Sequence, residues 1–371
     1  MIKTIIKILS VIFLLLIIIV IYLSFFGVNT KKFNNQITNK VLKINKKINL
    51  NLDKVNYLLN PYNLTISIKT KNPKISLDGI KLDLKDLKTN VSIKSLIYGQ
   101  FSINDLQITT KEIKINDVIS LIRSFKNSPQ LFILKKMTKG GSVNANIKLK
   151  FDEKGKIKEN YKIIGSVKKI KFNFLNQLKL QNLNFDFDIR KNNYLLKKIE
   201  TEINSIKVKS TLIEIKKDKD LFFVSGQILN DTKNFNIEEF KLPFYTVFQN
   251  INLKKIEYSS LNDFSFNINK NFKFNDLKVE TTLNLKELIF NGKYLKLKSY
   301  FPNFVDEIKL VNHKIIIHYN KSIFKIKGNG NFLLEDKLDS LSYQIIQDNN
   351  NLTFDTKINL KNNSLLLDFL D

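Results

Sequence analysis

The histidines His313 and His318 are the first residues to weigh as chemistry, because imidazoles bind metals and move protons near neutral pH. They stand in Asn312-His313-Lys314-Ile315-Ile316-Ile317-His318-Tyr319, an alternating, strand-like segment. An odd separation on a strand puts two side chains on opposite faces, so this pair cannot hold one ion together. They read as surface or half-buried histidines. Asp186 and Asp188 share a strand face and could form an acid pair. Phe185, Phe187 and Ile189 take the other face, which sends both carboxylates to water. Gly328-Asn329-Gly330 reads as a turn rather than a phosphate cradle. None of the patterns G-x-G-x-x-G, P-loop, G-x-S-x-G or H-E-x-x-H is present. The absence of Cys excludes a disulfide framework, a thiolate zinc site, an iron–sulfur cluster and a thiol nucleophile. Nothing assembles a nucleophile, a base and oxyanion donors. The chain therefore reads as a non-enzymatic protein with no cofactor and no metal.

The charge balance suggests a different kind of function. Lys+Arg 61 against Asp+Glu 34 gives +27 over 371 residues, which invites a polyanion partner. Yet only Arg123 and Arg190 are arginine, whereas nucleic-acid readers lean on bidentate Arg and cluster their charge. Here Lys is spread along the chain. Together with heavy use of Ile, Asn and Phe, it reads as codon bias toward A and T rather than selection for a partner. Nucleic acid is not an expected partner. A hydrophobic share of 43% is too high for a disordered chain despite the charge.

The elements that position these residues begin with a membrane segment. Residues 1–7 form a tail carrying Lys3 and Lys7, and Ile8 to Phe26 follows without a charge. A run of about 19 residues at ~1.5 Å rise spans the hydrocarbon core. The rival reading is a signal peptide, but no small-x-small cleavage pair follows the run. An uncleaved single-pass anchor over 8–26 is expected. Lys31, Lys32, Lys40, Lys43, Lys46 and Lys47 come next with no acid among them, and are candidates to meet a membrane surface. Charge alone leaves the orientation open, because Lys is frequent throughout. Within a linker over 27–50, Phe33, Ile37, Val41, Ile44 and Ile48 share one helical face, predicting a helix from Thr30 to Ile48. That helix either lies on headgroups or plugs the end of the following domain.

Beyond Leu52 the period changes to two. Thr65–Lys69, Ser102–Asn104, Asn146–Phe151, Asn184–Ile189, Ile206–Ser210 and Ser265–Ile268 alternate apolar and polar residues, predicting strands with one apolar and one wet face. Residues 51–371 thus read as a mostly β, elongated antiparallel sheet. Gly155 marks a hairpin turn between Phe151 and Ile157. A helical insert near 117–139 is capped by Asp117 and by Ser128-Pro129, and ends at Gly140-Gly141. Its stripe is Leu131, Phe132, Leu134 and Met137.

A weak repeat of the form apolar-x-apolar-x-[Asp/Asn]-Leu recurs at Leu82–Leu87, Phe101–Leu106, Leu178–Leu183 and Phe272–Leu277. Its odd step would flip the face unless a β-bulge absorbs it, and Asp or Asn suits a bulge. About 20 to 25 strands at ~4.8 Å would extend roughly 100 Å.

This layout resembles the AsmA-like proteins of Gram-negative envelopes. The stretch Ser92-Ile93-Lys94-Ser95-Leu96-Ile97-Tyr98-Gly99-Gln100-Phe101-Ser102-Ile103-Asn104-Asp105-Leu106-Gln107-Ile108 is similar to that family's "Ser-Leu, Gly, Ile-x-x-Leu-x-Ile" pattern. Val143 to Ser166 is similar to its later β repeats. The chain departs from the family in lacking a Gly-Arg pair over Ile48 to Asp53, and in having Thr109-Thr110 where Pro is frequent.

The resemblance implies inner-membrane anchoring, a body in the periplasm, and a twisted β groove of the bridge-like lipid-transfer type serving outer-membrane biogenesis. Ile66, Ile68, Ile103, Ile147, Leu149, Phe185 and Phe187 would then line the groove, taking phospholipid or other acyl lipid. Alternatively they pack against a second layer. The other function expected is a membrane-tethered envelope scaffold or regulator that binds a protein partner by sheet-edge pairing.

Overall fold

The computed structural model describes residues 2–32, 34–44, 48–77, 79–98, 103–125, 128–174, 178–203, 206–232, 252–269, 273–291, 297–304, 306–321, 323–335, 337–348 and 351–366. The protein is mostly β, built as one large open antiparallel sheet of 21 strands among the described residues. It divides into two compact units: Met1–Lys168 with Phe187–Lys191, and Lys169–Asp186 with Asn192–Asp371.

The first unit starts with helix α1 (Ile2–Phe25). It reaches further toward the N-terminus than the charge-free run, taking in Lys3 and Lys7. Lys3–Phe25 is long and apolar enough to cross a membrane, and none of its most apolar window is buried. At ~1.5 Å per residue it measures about 36 Å, against a hydrocarbon core of about 30 Å. The Ser24 hydroxyl donates to the Val20 carbonyl at 2.6 Å, which suits an apolar surround. Gly27 ends the helix at φ +67, and a Cβ there would stand 2.4 Å from the Tyr57 carbonyl oxygen.

The linker is more sheet-like than its sequence suggests. Strand β1 (Val28–Thr30) pairs with β3 (Val55–Asn60), and helix α2 covers only Asn34–Ile44. Strand β2 (Ile48–Asn51) then pairs with β5 (Lys74–Leu77). The amphipathic period is overridden at both ends because the sheet offers backbone partners there. Phe33 lies outside the described residues. Strand β4 (Thr65–Lys71) pairs with β3 and with β6 (Ile80–Ser92), and β6 pairs with β7 (Ile103–Thr110). Gly99 to Ser102 lie outside the described residues.

The helical insert follows a short strand, β8 (Ile113–Lys114). It forms as α4 (Ile115–Phe125) and α5 (Pro129–Met137), preceded in the chain by a short α3 (Ile93–Ile97). Ser128 caps α5 by accepting from the Leu131 amide at 3.3 Å. Helix α5 stops before the glycines, at Thr138, and Gly140-Gly141 instead turn β9 (Thr138–Lys139) into β10 (Ser142–Lys150). Within the stripe, Phe132 stays 44% exposed under the Arg123 and Lys136 cations. The Phe151 hairpin forms around Gly155, with Asp152 Oδ1 accepting from the Lys154 and Lys156 amides. It leads into β11 (Lys162–Phe174) and β12 (Leu178–Arg190).

The second unit is a meander of long strands. These are β13 (Asn193–Ile203), β14 (Ile206–Asp218), β15 (Leu221–Thr232), β16 (Asn252–Asn269) and β17 (Phe274–Asn291). They continue as β18 (Glu307–Asn320), β19 (Ile323–Leu333), β20 (Leu338–Asp348) and β21 (Asn351–Asn359). Its main apolar cluster joins Phe301, Phe304, Ile308, Phe332 and Leu334, roofed by the chain around Leu297–Ser299 and by Leu360.

The repeats mark bulges. Lys85 is the extra residue between Leu84 and Asp86, and Asn104 the extra one between Ile103 and Asp105. Asn182 and Asp276 adopt φ +53 and +54, and β17 gains an extra residue against Ser265–Asn267. Each bulge absorbs the odd step and bends its own strand.

Candidate functional site

The register assembles rows of apolar side chains, because residues directly opposite each other in a ladder share a face. In the first unit one row runs Val55, Thr70, Leu87, Ile108, Ile147, Ile163. A second runs Tyr57, Ile68, Thr89, Leu106, Leu149, and a third Leu59, Ile66, Val91, Ile103. Five of the expected lining residues, Ile66, Ile68, Ile103, Ile147 and Leu149, therefore share this face, all half-buried. Bulges make this possible: Ile103 and Leu106 are an odd step apart yet stand opposite Val91 and Thr89 on one face.

Phe185 is half-buried as well, but Phe187 is not open lining. Phe187 is 8% exposed, and its ring fills the space that a Cβ on Gly165 would need, at 2.5 Å. It is a floor residue of the first unit.

In the second unit, comparable rows run Thr281, Ile317, Ile326, Ile345, Phe354 and Gly226, Phe264, Val279, Tyr319, Phe324. Gly328 and Gly330 are not a turn but lie inside β19. There they leave room for the Tyr343 and His313 rings, which a Cβ would meet at 2.3 Å in each case.

The polar residues resolve differently from their sequence reading. His313 and His318 do point to opposite faces. His318 is exposed and pairs with Glu280 at 3.4 Å, whereas His313 is wholly buried, at 1% exposure. His313 follows Ile315 and Ile317 in alternation onto the apolar face, opposite Leu285, beside a bulge at Asn312 with φ +54. Asp186 stays half-exposed and pairs with Lys198 at 3.5 Å. Asp188, expected in water, is buried instead: Arg190 holds both its oxygens at 3.2 and 3.1 Å, and Lys162 adds a contact at 3.8 Å. The side chain two residues along shares its strand face, so Arg190 neutralises Asp188 locally. Among the described residues no group of three or more His, Asp or Glu is placed to hold a metal.

Of the candidate membrane-surface lysines, Lys31 is exposed and pairs with Asp53 at 3.0 Å, and Lys32 is exposed. Lys40 and Lys43 lie on α2, while Lys46 and Lys47 lie outside the described residues. Helix α2 is tied to the sheet: the Asn34 amide donates to the Leu52 carbonyl at 3.0 Å and the Thr38 hydroxyl to the Leu50 carbonyl at 3.2 Å. A basic concavity beside it, which includes Lys54, Lys69, Lys71 and Lys74, was not singled out from sequence. Its trace was the period-two pair Lys69-x-Lys71; the fold of β1 to β5 brings the rest together.

No family profile matches this chain, and no solved structure matches it. The chain is similar to Reticulocyte-binding protein homolog 1 of Plasmodium falciparum (isolate 3D7), 23% identical over 322 residues. That match covers 83% of this chain and 10% of the relative, so the chain spans about a tenth of that protein's length. An identity this low assigns neither a family nor an activity.

Proposed function

We propose that this is an AsmA-like envelope protein, held in the inner membrane by α1, whose periplasmic sheet carries or shields acyl lipids along its apolar face. The observation that carries the reading is the run of in-register apolar rows in both units, most of whose members are half-buried, over a floor of buried residues such as Val55, Thr70, Val91 and Thr281. Each methylene sheltered from water on such a face gains about 0.8 kcal/mol, so one acyl chain would be held by many weak contacts without a polar anchor. The test is mass spectrometry of lipids retained by the full chain after purification in detergent. Phospholipid in amounts comparable to the protein is the expected result. A folded chain that retains none overturns the reading.

A second reading has its own observation. Strand β21 pairs with β20 on one side, and Leu352, Phe354 and Ile358 along it are 68%, 67% and 56% exposed. A scaffold or regulator would use this edge to add a strand from a protein partner. Cross-linking from position 353 to a partner chain, with no lipid on the purified protein, would favour it.

A further inference from the structure

We infer that the first unit binds the anionic headgroup of a phospholipid on the polar face of the sheet, beside the end of α1. A concavity of about 1070 Å³ opens there. Lys31, Lys54, Lys69, Lys71 and Lys74 line it, with Asp53 the one carboxylate among its described lining residues; Asp86 and Asp83 stand opposite Lys71 and Lys74 in the ladder. Asp53 is already taken by Lys31 at 3.0 Å, which holds its carboxyl below the usual range. Lys69, Lys71 and Lys74 have no ion-pair partner among the described residues and are exposed. Two concavities among the described residues of the second unit are better balanced. One sets Asp231 and Glu257 against Lys286 and Lys314, and the other sets Asp276 against Lys278 and Lys321. There Lys286 pairs with Glu257 and Lys321 with Asp276, both at 2.8 Å.

The register separates this site from the apolar rows. Asn29 stands opposite Asn56, and Asn56 opposite Lys69, whereas the neighbouring pair, Tyr57 with Ile68, belongs to the apolar face. Asn51 and Asn72 line the same concavity. Ammonium groups and amide donors are what a phosphodiester accepts from. Asn29 follows Phe25, the last residue of α1, by one short stretch of chain, about 13 Å even if fully extended. The headgroup layer is itself roughly 5–7 Å thick on each side of the bilayer. If α1 crosses the membrane, its C-terminal end meets an interface whichever way the chain is oriented. The occupant is therefore a lipid of that membrane rather than free phosphate.

The inference rests on α1 being retained as an anchor, and not on acyl chains entering the apolar face. The full chain is reconstituted in nanodiscs of phosphatidylcholine and phosphatidylglycerol, and the headgroup ratio of lipid retained on extraction is read by mass spectrometry. Phosphatidylglycerol is expected to be enriched, since each lysine near an anionic surface is worth about fivefold in partition. The variant K69Q/K71Q/K74Q returns the ratio to that of the bulk. The control K207Q/K327Q/K357Q removes as many exposed lysines from β14, β19 and β21 and keeps the enrichment. Circular dichroism verifies that each variant is folded. An unchanged ratio in K69Q/K71Q/K74Q, an equal loss in the control, or displacement by excess inorganic phosphate overturns the assignment. Total retained lipid reports on the apolar face separately, so a change in ratio at constant amount, or the reverse, tells the two readings apart.

Discussion

Gly330 lies against the imidazole of His313: a Cβ at position 330 would stand 2.3 Å from His313 Cδ2 and 2.7 Å from its Cα. The neighbouring Asn331 carbonyl meets His313 Nε2 at 2.9 Å, while Nδ1 is buried with no hydrogen-bond partner among the described residues. The glycine, the bulge and the ring thus form one packed unit between β18 and β19. Gly330→Ala would force the ring or the strand to move, at a cost of about 1–3 kcal/mol. Urea unfolding should show this loss. Adding His313→Ala should recover part of it, since the two substitutions share one space. Strictly additive losses would mean that the contact does not set the packing.

The same ring makes stability depend on pH. Burial pushes the His313 pKa down, and the hydrogen bond to Asn331 only partly opposes it. The unfolded chain, with an ordinary value near 6.5, therefore takes up the proton first. Stability is full above about pH 6.5 and falls as the pH drops through and below that value. The urea midpoint should decline from pH 7 to 5 in the wild type, and less in His313→Gln. A midpoint equally pH-dependent in both would assign the effect to other groups.

Asp339 ties down the chain that follows β21. Its Oδ1 accepts from the Lys361 and Asn362 amides at 2.8 and 2.9 Å, and its Oδ2 from the Asn363 amide and side chain at 3.0 and 2.7 Å. Burial works against the charge, but these donors outweigh it and hold the pKa at about 2. A depressed carboxylate stabilises above its unfolded value, near 3.9, so this contribution is lost as the pH falls from about 4 toward 2. Asp339→Asn should cost about 1–3 kcal/mol. Hydrogen exchange at the Asn362 and Asn363 amides should quicken, while that of β18 stays slow. Unchanged exchange would show that Leu360 and the Leu366–Tyr300 hydrogen bond hold the segment without it.

Asp276 occupies a bulge at φ +54 and pairs with Lys321 at 2.8 Å and with Asn267 at 3.1 Å. Asp276→Gly keeps the backbone geometry and should change the melting temperature little. Asp276→Val adds a β-branched side chain in the left-handed region, at about 1–2 kcal/mol. A melting point lower in the valine variant than in the glycine variant is expected. Equal values would mean that the ion pair, rather than the backbone, favours Asp here.

The alternation of Thr65–Lys69, Asn146–Phe151 and Ser265–Ile268 was enough to read the sheet, because a half-buried strand writes its two faces into neighbouring residues. The bulges were also legible, since Asp or Asn beside an odd apolar step leaves the chain few other ways to keep one face apolar. Gly328 and Gly330 misled because a strand glycine and a turn glycine look alike until the facing ring is known, and that ring lies on another strand. His313 and Asp188 misled for a related reason: burial of a polar group depends on neighbours such as Asn331 or Lys162 that are distant in sequence. Of the residues expected to line the apolar face, Ile66, Ile68, Ile103, Ile147 and Leu149 do share one face, but the pairing and the bulge at Asn104 that unite them were not legible from alternation alone. Nor was the place of Phe187, because its fate depends on Gly165 on the adjoining strand.

Ile108 and Ile147 stand directly opposite each other in the middle of the longest apolar row of the first unit, and both are half-buried. That position separates a lipid-bearing surface from a packed core. Fully buried aliphatic side chains cost about 2–5 kcal/mol on truncation, and a buried amide adds an unmet hydrogen-bonding demand. On a surface that lipid covers only when bound, Ile108→Asn and Ile147→Asn leave the amides free to meet water in the empty protein. The double variant should then retain severalfold less lipid in detergent, while its urea midpoint in delipidated form stays near that of the wild type. Loss of the fold, or retention of lipid at the wild-type amount, would move this row from the lipid path to the structural core.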